Sequence, residues 1–175
     1  MAGGDILIWD RVLLRPPRLD DAEALFACIA SDPEVTRYLS WMPHSDVGET
    51  RRVITELFNV GDEQTWLIEL RQTGEAVGLC GVRRVSHAVE LGYCLAREWW
   101  GRGIMSEVLR LLLTELQRDP RVFRVWAVCH VDNARSVRLL QRSGLSLEGR
   151  LVRYGMYPNL STEPQDSLLF AKAMR

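Results

Sequence analysis

Two junctions between a strand pattern and a helix pattern carry the residues best suited to chemistry. In the first, the run Tyr93-Cys94-Leu95 leads through Gly101-Arg102-Gly103 into a helix that opens at Ile104 and Met105. The N–H groups that start a helix have no intrahelical partners, and the helix dipole is positive there. Glycines let a ligand approach that backbone with no Cβ in the way. The junction therefore suits an anion, most naturally a phosphate or pyrophosphate, with Arg102 and Arg97 adding charge. Taken by itself it is equally a tight turn. Two phosphate signatures are missing. No Gly-Lys pair exists for a P-loop, and Ser106 stands where a GxGxxG dinucleotide fingerprint needs glycine.

The second junction follows about 30 residues on, at Val131-Asp132-Asn133-Ala134-Arg135-Ser136. Asn133 can both donate and accept near the strand end. Ser136 lies one helical turn away, so it can face the same cleft. Arg138 and Arg142 are spaced i,i+4 and form a basic stripe. In isolation Asp132 reads as an N-cap, Ser136 as a solvated hydroxyl and the arginines as an exposed face.

The elements that must position these groups follow from hydrophobic period and breakers. The pattern predicts a strand over Ile6–Leu14, a helix from Asp20 to about Ala30, and a helix capped by Asp46 or Ser45. Three strand runs follow at Thr65–Leu70, Ala76–Arg84 and Val89–Ala96. A leucine-faced helix runs from Gly103 to about Gln117 and stops at Asp119-Pro120. Val122–Val128 is a strand, and a helix ends near Arg142 with Gly144 beyond it. Leu145–Arg153 and Ser167–Ala173 read as final strands. The order is that of a mixed α/β domain, one domain over 1–175.

Composition narrows the function. Of 175 residues, 47% are hydrophobic and 26% charged, the balance of a globular chain with its own core. The net charge of −1 argues against binding nucleic acid through phosphate attraction. Four cysteines at wide spacing form no CxxC or Cys/His cluster, so no metal site is expected and free thiols in a reducing cytoplasm are. No basic-then-apolar leader is visible, and no run approaches the roughly 18 apolar residues of a membrane span.

Together, in this order, the two junctions resemble the GNAT acyl-coenzyme A transferase superfamily. Gly101-Arg102-Gly103 is similar to that family's pyrophosphate loop. Asn133-Ala134-Arg135-Ser136 with Arg142-Ser143-Gly144-Leu145 is similar to its later helix motif. The start Arg11-Val-Leu-Leu-Arg-Pro, Glu90-Leu-Gly-Tyr, Trp100-Gly-Arg-Gly, Ser106-Glu107, Leu147-Glu-Gly-Arg-Leu and Asp166 resemble the branch that acetylates N-termini of ribosomal proteins. Three positions depart from the family pattern: Glu98 begins the glycine motif, Leu145 replaces a phenylalanine, and Leu140 stands where many members carry an acidic tyrosine.

The resemblance implies a GNAT fold: a mixed central sheet with splayed parallel strands, flanked by helices. Acetyl-coenzyme A would lie between the splayed strands Val89–Ala96 and Val122–Val128. Its pantetheine would pair with the backbone at Tyr93, Cys94 and Leu95, and its pyrophosphate with the N–H groups of Gly101 to Met105. Arg142 or Arg138 would meet the adenosine 3′-phosphate, and Asn133 would orient substrate. The implied activity is acetyl transfer to a primary amine, either a protein N-terminus or a small molecule, in a ternary complex. Transfer of another acyl group such as succinyl, or a non-catalytic coenzyme A-binding module, remain as alternatives. Glu90 is the candidate base, with a strand-edge salt bridge as its other reading. His130 is a second proton-relay candidate, and Ser136 the candidate donor to the leaving thiolate. A backbone N–H near Cys94 or Leu95 would polarise the thioester carbonyl. Tyr38, Trp41, Met42, Trp66 and Tyr154 are the candidate acceptor pocket. The chain is expected to act as a monomer or homodimer.

Overall fold

The structure, a computed structural model, describes residues 6–174. One eight-stranded sheet runs in the order β1-β2-β3-β4-β5-β6-β8-β7. Its strands are β1 (Leu7–Ile8), β2 (Val12–Arg15), β3 (Glu63–Leu70), β4 (Ala76–Val85), β5 (Ala88–Leu95), β6 (Arg124–His130), β7 (Ser146–Gly155) and β8 (Gln165–Ala173). Every neighbouring pair is antiparallel except β5 and β6. The helices are α1 (Ala22–Leu25), α2 (Pro33–Thr36), α3 (Val47–Glu56), α4 (Ile104–Arg118) and α5 (Ala134–Arg142).

Helices cover both faces of the sheet. On one, α4 lays Ile104, Val108, Leu109, Leu112 and Leu116 over Val12, Trp66, Ile68, Val77 and Leu91, with Leu140 of α5 joining them. These positions recur at the 3.6-residue period that puts side chains on one helix face. On the other face Ala22, Leu25, Ile29, Val35 and Ile54 pack on Leu67 and Ala96. Asp46 caps α3 by accepting from the Glu49 N–H at 3.1 Å, as the sequence suggests.

Two elements differ from expectation. The single strand over Ile6–Leu14 is a hairpin of two short strands, because the Trp9 N–H turns back to the Val12 carbonyl at 3.0 Å. The helix expected from Asp20 to Ala30 is three short pieces: a 3-10 turn at Leu19–Asp21, α1, and a π-helical turn at Phe26–Ala30. The wide turn closes on Ser31, whose N–H and hydroxyl both donate to the Phe26 carbonyl, at 3.0 and 2.8 Å.

Candidate active site

The site begins where two parallel strands part. β5 pairs with β6 at only three positions, the last being Glu90 opposite Trp126. Beyond it, β5 stays on β4 through Leu95 while all seven residues of β6 stay on β8. The backbone of β5 that faces the opening follows from ladder alternation. The Ala96 N–H donates to the Val77 carbonyl at 2.8 Å. Stepping back by twos, Cys94 and Gly92 turn their peptide groups toward β4, so Tyr93 and Leu95 turn theirs into the gap. The Leu95 carbonyl accepts from the Trp100 indole at 2.7 Å. The Tyr93 N–H, the Tyr93 carbonyl and the Leu95 N–H are left facing the gap. Cys94 is among the lining residues, its thiol is partly buried, and its N–H is turned away from the gap.

The gap opens into a cleft of about 460 Å³, lined among others by Tyr93, Cys94, Leu95, Gly101, Gly103 and Met105. Gly101 and Gly103 have φ of 76° and 79°, the left-handed region where a Cβ is disfavoured. That geometry swings the chain from Trp100 into α4, whose first turn aims its free N–H groups at the cleft. Arg11 fastens the loop from behind. Its guanidinium donates to the Arg102 carbonyl at 3.2 Å and to Glu107 at 2.6 Å. Arg102 itself lies over the Trp99 ring, 4.8 Å from its centroid, and is not among the lining residues. Arg97 pairs with Asp32 at 3.5 Å and is also outside the lining. The cleft's cations are instead Arg135, Arg138 and Arg142, spaced along one face of α5, with Arg37 opposite. Arg135 stacks on Trp100 at 4.3 Å.

α5 also carries the polar groups nearest the splayed strands. Asn133 is its N-cap, so the cap is one residue later than Asp132. Asn133 Oδ1 accepts from the Ser136 N–H at 3.1 Å, leaving its amide N–H groups for the cleft. Ser136 Oγ lies 2.7 Å from the Tyr93 hydroxyl. Burial pushes the Tyr93 phenol up from its ordinary range, with the Ser136 contact opposing. Leu140 is fully buried in the core, so the position of the family's tyrosine does not open on this cleft.

The remaining candidates fall in different places. Tyr38 lines the cleft and stacks on His130 at 5.2 Å, which in turn meets Tyr157 edge-on at 4.8 Å. His130 Nδ1 accepts from the Asp132 N–H at 3.1 Å. That bond assigns the neutral ring its proton at Nε2, so the ring has no free lone pair to offer as a base. Desolvation lowers the His130 pKa further. Glu90 is the direct cross-strand partner of Arg83 and accepts from its Nε at 2.9 Å, outside the cleft. The candidate base is thus a salt bridge in this structure. Trp66 is 0% exposed in the core beneath α4, so it offers no surface to an acceptor. Trp41 packs on the opposite core near His44, and Met42 and Tyr154 are exposed away from the lining residues. The sequence marks Arg11 and Trp100 only as motif residues without a role, and it does not single out Tyr157 or Asn159. Asn159 donates to the carbonyls of Thr36 and Trp41, at 2.8 and 2.7 Å, tying the segment 36–41 to the β7–β8 connection.

Splayed parallel strands whose free backbone leads to a glycine-bordered helix start define an acyl-coenzyme A transferase. The chain belongs to the GNAT acetyltransferase family: the acetyltransferase (GNAT) domain model matches residues 11–146. It is 34% identical over 160 residues to an uncharacterized N-acetyltransferase, YoaA, of Bacillus subtilis, covering 88% of this chain and 89% of that one. It is 31% identical over 156 residues to the uncharacterized N-acetyltransferase p20 of Bacillus licheniformis, covering 86% and 87%. Among solved structures it superposes on a ribosomal L7/L12 alpha-N-protein acetyltransferase in complex with coenzyme A. That match has a TM-score of 0.83 at 23% identity and covers 97% and 98% of the two chains.

Proposed function

We propose that the protein transfers the acetyl group of acetyl-coenzyme A to the α-amine of a peptide or protein, by direct attack within a ternary complex. The observation that carries this reading is the opening between β5 and β6, where the Tyr93 N–H and carbonyl and the Leu95 N–H face the gap beside the start of α4. Acetyl-coenzyme A is the substrate these groups fit. Its amide-rich arm matches the strand edge, and its phosphates match α4 and the three arginines of α5. The Leu95 N–H, facing the gap, would polarise the thioester carbonyl.

The acceptor class is supported by how the two candidate bases are engaged and by one relative. Glu90 is ion-paired with Arg83 outside the cleft, and His130 Nδ1 accepts from the Asp132 N–H, so neither is offered as the base. An α-amine, with a pKa of about 7.7–8.0, is substantially neutral near pH 7.5 and needs only water as base. A lysine amine at about 10.4 is almost entirely protonated. The coenzyme A-bound relative is an alpha-N-protein acetyltransferase. Ser136, capped by Asn133 and facing the cleft, is the donor to the leaving thiolate. The free thiols fit a reducing cytoplasm, and burial pushes Cys28 up to about 11 and Cys94 up to about 12, which keeps both inert.

The test is mass-spectrometric. Alanine- and serine-starting peptides are incubated with acetyl-coenzyme A, beside an N-terminally blocked peptide containing lysine. Acetylation of the free α-amine only is expected. Equal modification of the blocked peptide would overturn the acceptor assignment.

A further inference from the structure

We propose that the Tyr93 hydroxyl supplies the proton that Ser136 delivers to the departing thiolate. This rests on the reading of the cleft as an acetyl-transfer site with Ser136 beside the leaving group. Serine alone is poorly suited to that task. An aliphatic hydroxyl is an acid of roughly water's strength, with a pKa of about 15.7. A free thiol is near 8.5 and a free phenol near 10; burial raises Tyr93 above that ordinary value, and it remains a stronger acid than an isolated serine.

The geometry joins the two groups. Their oxygens are 2.7 Å apart although β5 and α5 bring them from positions 43 residues apart in the chain. Ser136 is held by its own N–H on Asn133, and only 8% of it is exposed. The other titratable group at this point is Cys129 of β6, whose thiol contacts Ser136 and is kept neutral by burial. Leu140 closes off the next turn of α5, so no second hydroxyl competes from there. With Tyr93 donating to Ser136 Oγ, the serine proton is free to point into the cleft. Tyr93 is thus a positioning residue that also holds the proton in reserve.

The step balances. The amine lone pair forms the N–C bond, the C–S bond breaks, and its electron pair goes to sulfur. Ser136 Oγ–H protonates that sulfur as the Tyr93 proton moves to Ser136 Oγ. The Tyr93 phenolate is reprotonated from water, and the acceptor's excess proton leaves to water. The products are the amide and coenzyme A thiol.

The experiment compares wild type, Tyr93→Phe, Ser136→Ala and the double variant, using acetyl-coenzyme A and an alanine-starting peptide. A fluorotyrosine placed at position 93 is the second probe. Tyr93→Phe is expected to lower kcat about 10- to 100-fold with acetyl-coenzyme A affinity unchanged, and the double variant to fall no further than Ser136→Ala, because the pair acts as a unit. Fluorotyrosine, a stronger acid, should move the alkaline limb of the kcat profile to lower pH. Full activity of Tyr93→Phe beside an inactive Ser136→Ala would overturn the relay and leave the transferase reading standing. An unmoved alkaline limb with fluorotyrosine would reduce Tyr93 to a packing role and also overturn it. Failure of wild type to acetylate any peptide would instead remove the reading on which the relay rests.

Discussion

Replacing Gly101 with alanine separates the glycine's two jobs. Its φ of 76° costs an alanine about 1–2 kcal/mol of stability. A Cβ built there meets nothing within 4 Å, so no clash adds to that cost in the free protein. At about 2–4 °C per kcal/mol for a chain of this size, the melting midpoint should fall by a few degrees. Asparagine, which tolerates the left-handed region, should lose less. Gly101 lines the cleft, so a side chain added there is expected to displace a bound phosphate from the helix start. Losing two hydrogen bonds to a charged acceptor, each worth about 1.5 kcal/mol at the low end, amounts to about a hundredfold in affinity. Gly74 is the control. Its φ is 72°, a Cβ there also meets nothing, and it sits in the turn before β4, outside the cleft. Calorimetric titration with acetyl-coenzyme A should show Gly101→Ala and Gly101→Asn both weakened about a hundredfold. Gly74→Ala should bind like wild type despite a similar loss in melting temperature. Unaltered binding by both Gly101 variants would refute the cradle.

Arg135, Arg138 and Arg142 have no carboxylate partner among the described residues, and all three line the cleft. Changing any one to alanine should weaken acetyl-coenzyme A binding severalfold and flatten its dependence on salt, measured by titration across ionic strengths. Asn159→Ala should raise the acceptor KM while leaving acetyl-coenzyme A affinity intact, because it frees the loop held at Thr36 and Trp41. Desolvation lowers the pKa of both His44 and His130 in the folded chain. The unfolded chain then binds more protons below about pH 6.5, so stability is complete above that value and declines as pH falls through the histidine range. Thermal midpoints between pH 7.5 and 5.5 should show this slope, and His130→Gln should reduce it.

Local pattern explains what the sequence made legible. The glycine turn, the Asp46 cap, the leucine stripe of α4 and the Asn133–Ser136 turn all lie within a few residues of their partners, where spacing and backbone preference suffice. What escaped depends on distant neighbours. Glu90 looks like a base until register sets Arg83 across from it. Trp66 looks like pocket aromatic because an apolar strand residue does not reveal which face is covered, and α4 covers it. Arg11 lies 96 residues from the Glu107 it binds, and Tyr93 lies 43 from Ser136, so neither contact leaves a mark in local spacing. The break within Ile6–Leu14 is only the two polar residues Asp10-Arg11 between apolar runs, too short an interruption to separate two strands by pattern.

The central claim is that the gap between β5 and β6 holds acetyl-coenzyme A. Calorimetric titration of the folded wild-type protein with acetyl-coenzyme A and with ATP tests it most directly. Micromolar, one-to-one binding of acetyl-coenzyme A and none of ATP is expected, since ATP lacks the arm that Tyr93 and Leu95 would pair with. Absence of acetyl-coenzyme A binding, or equal binding of ATP, would contradict it.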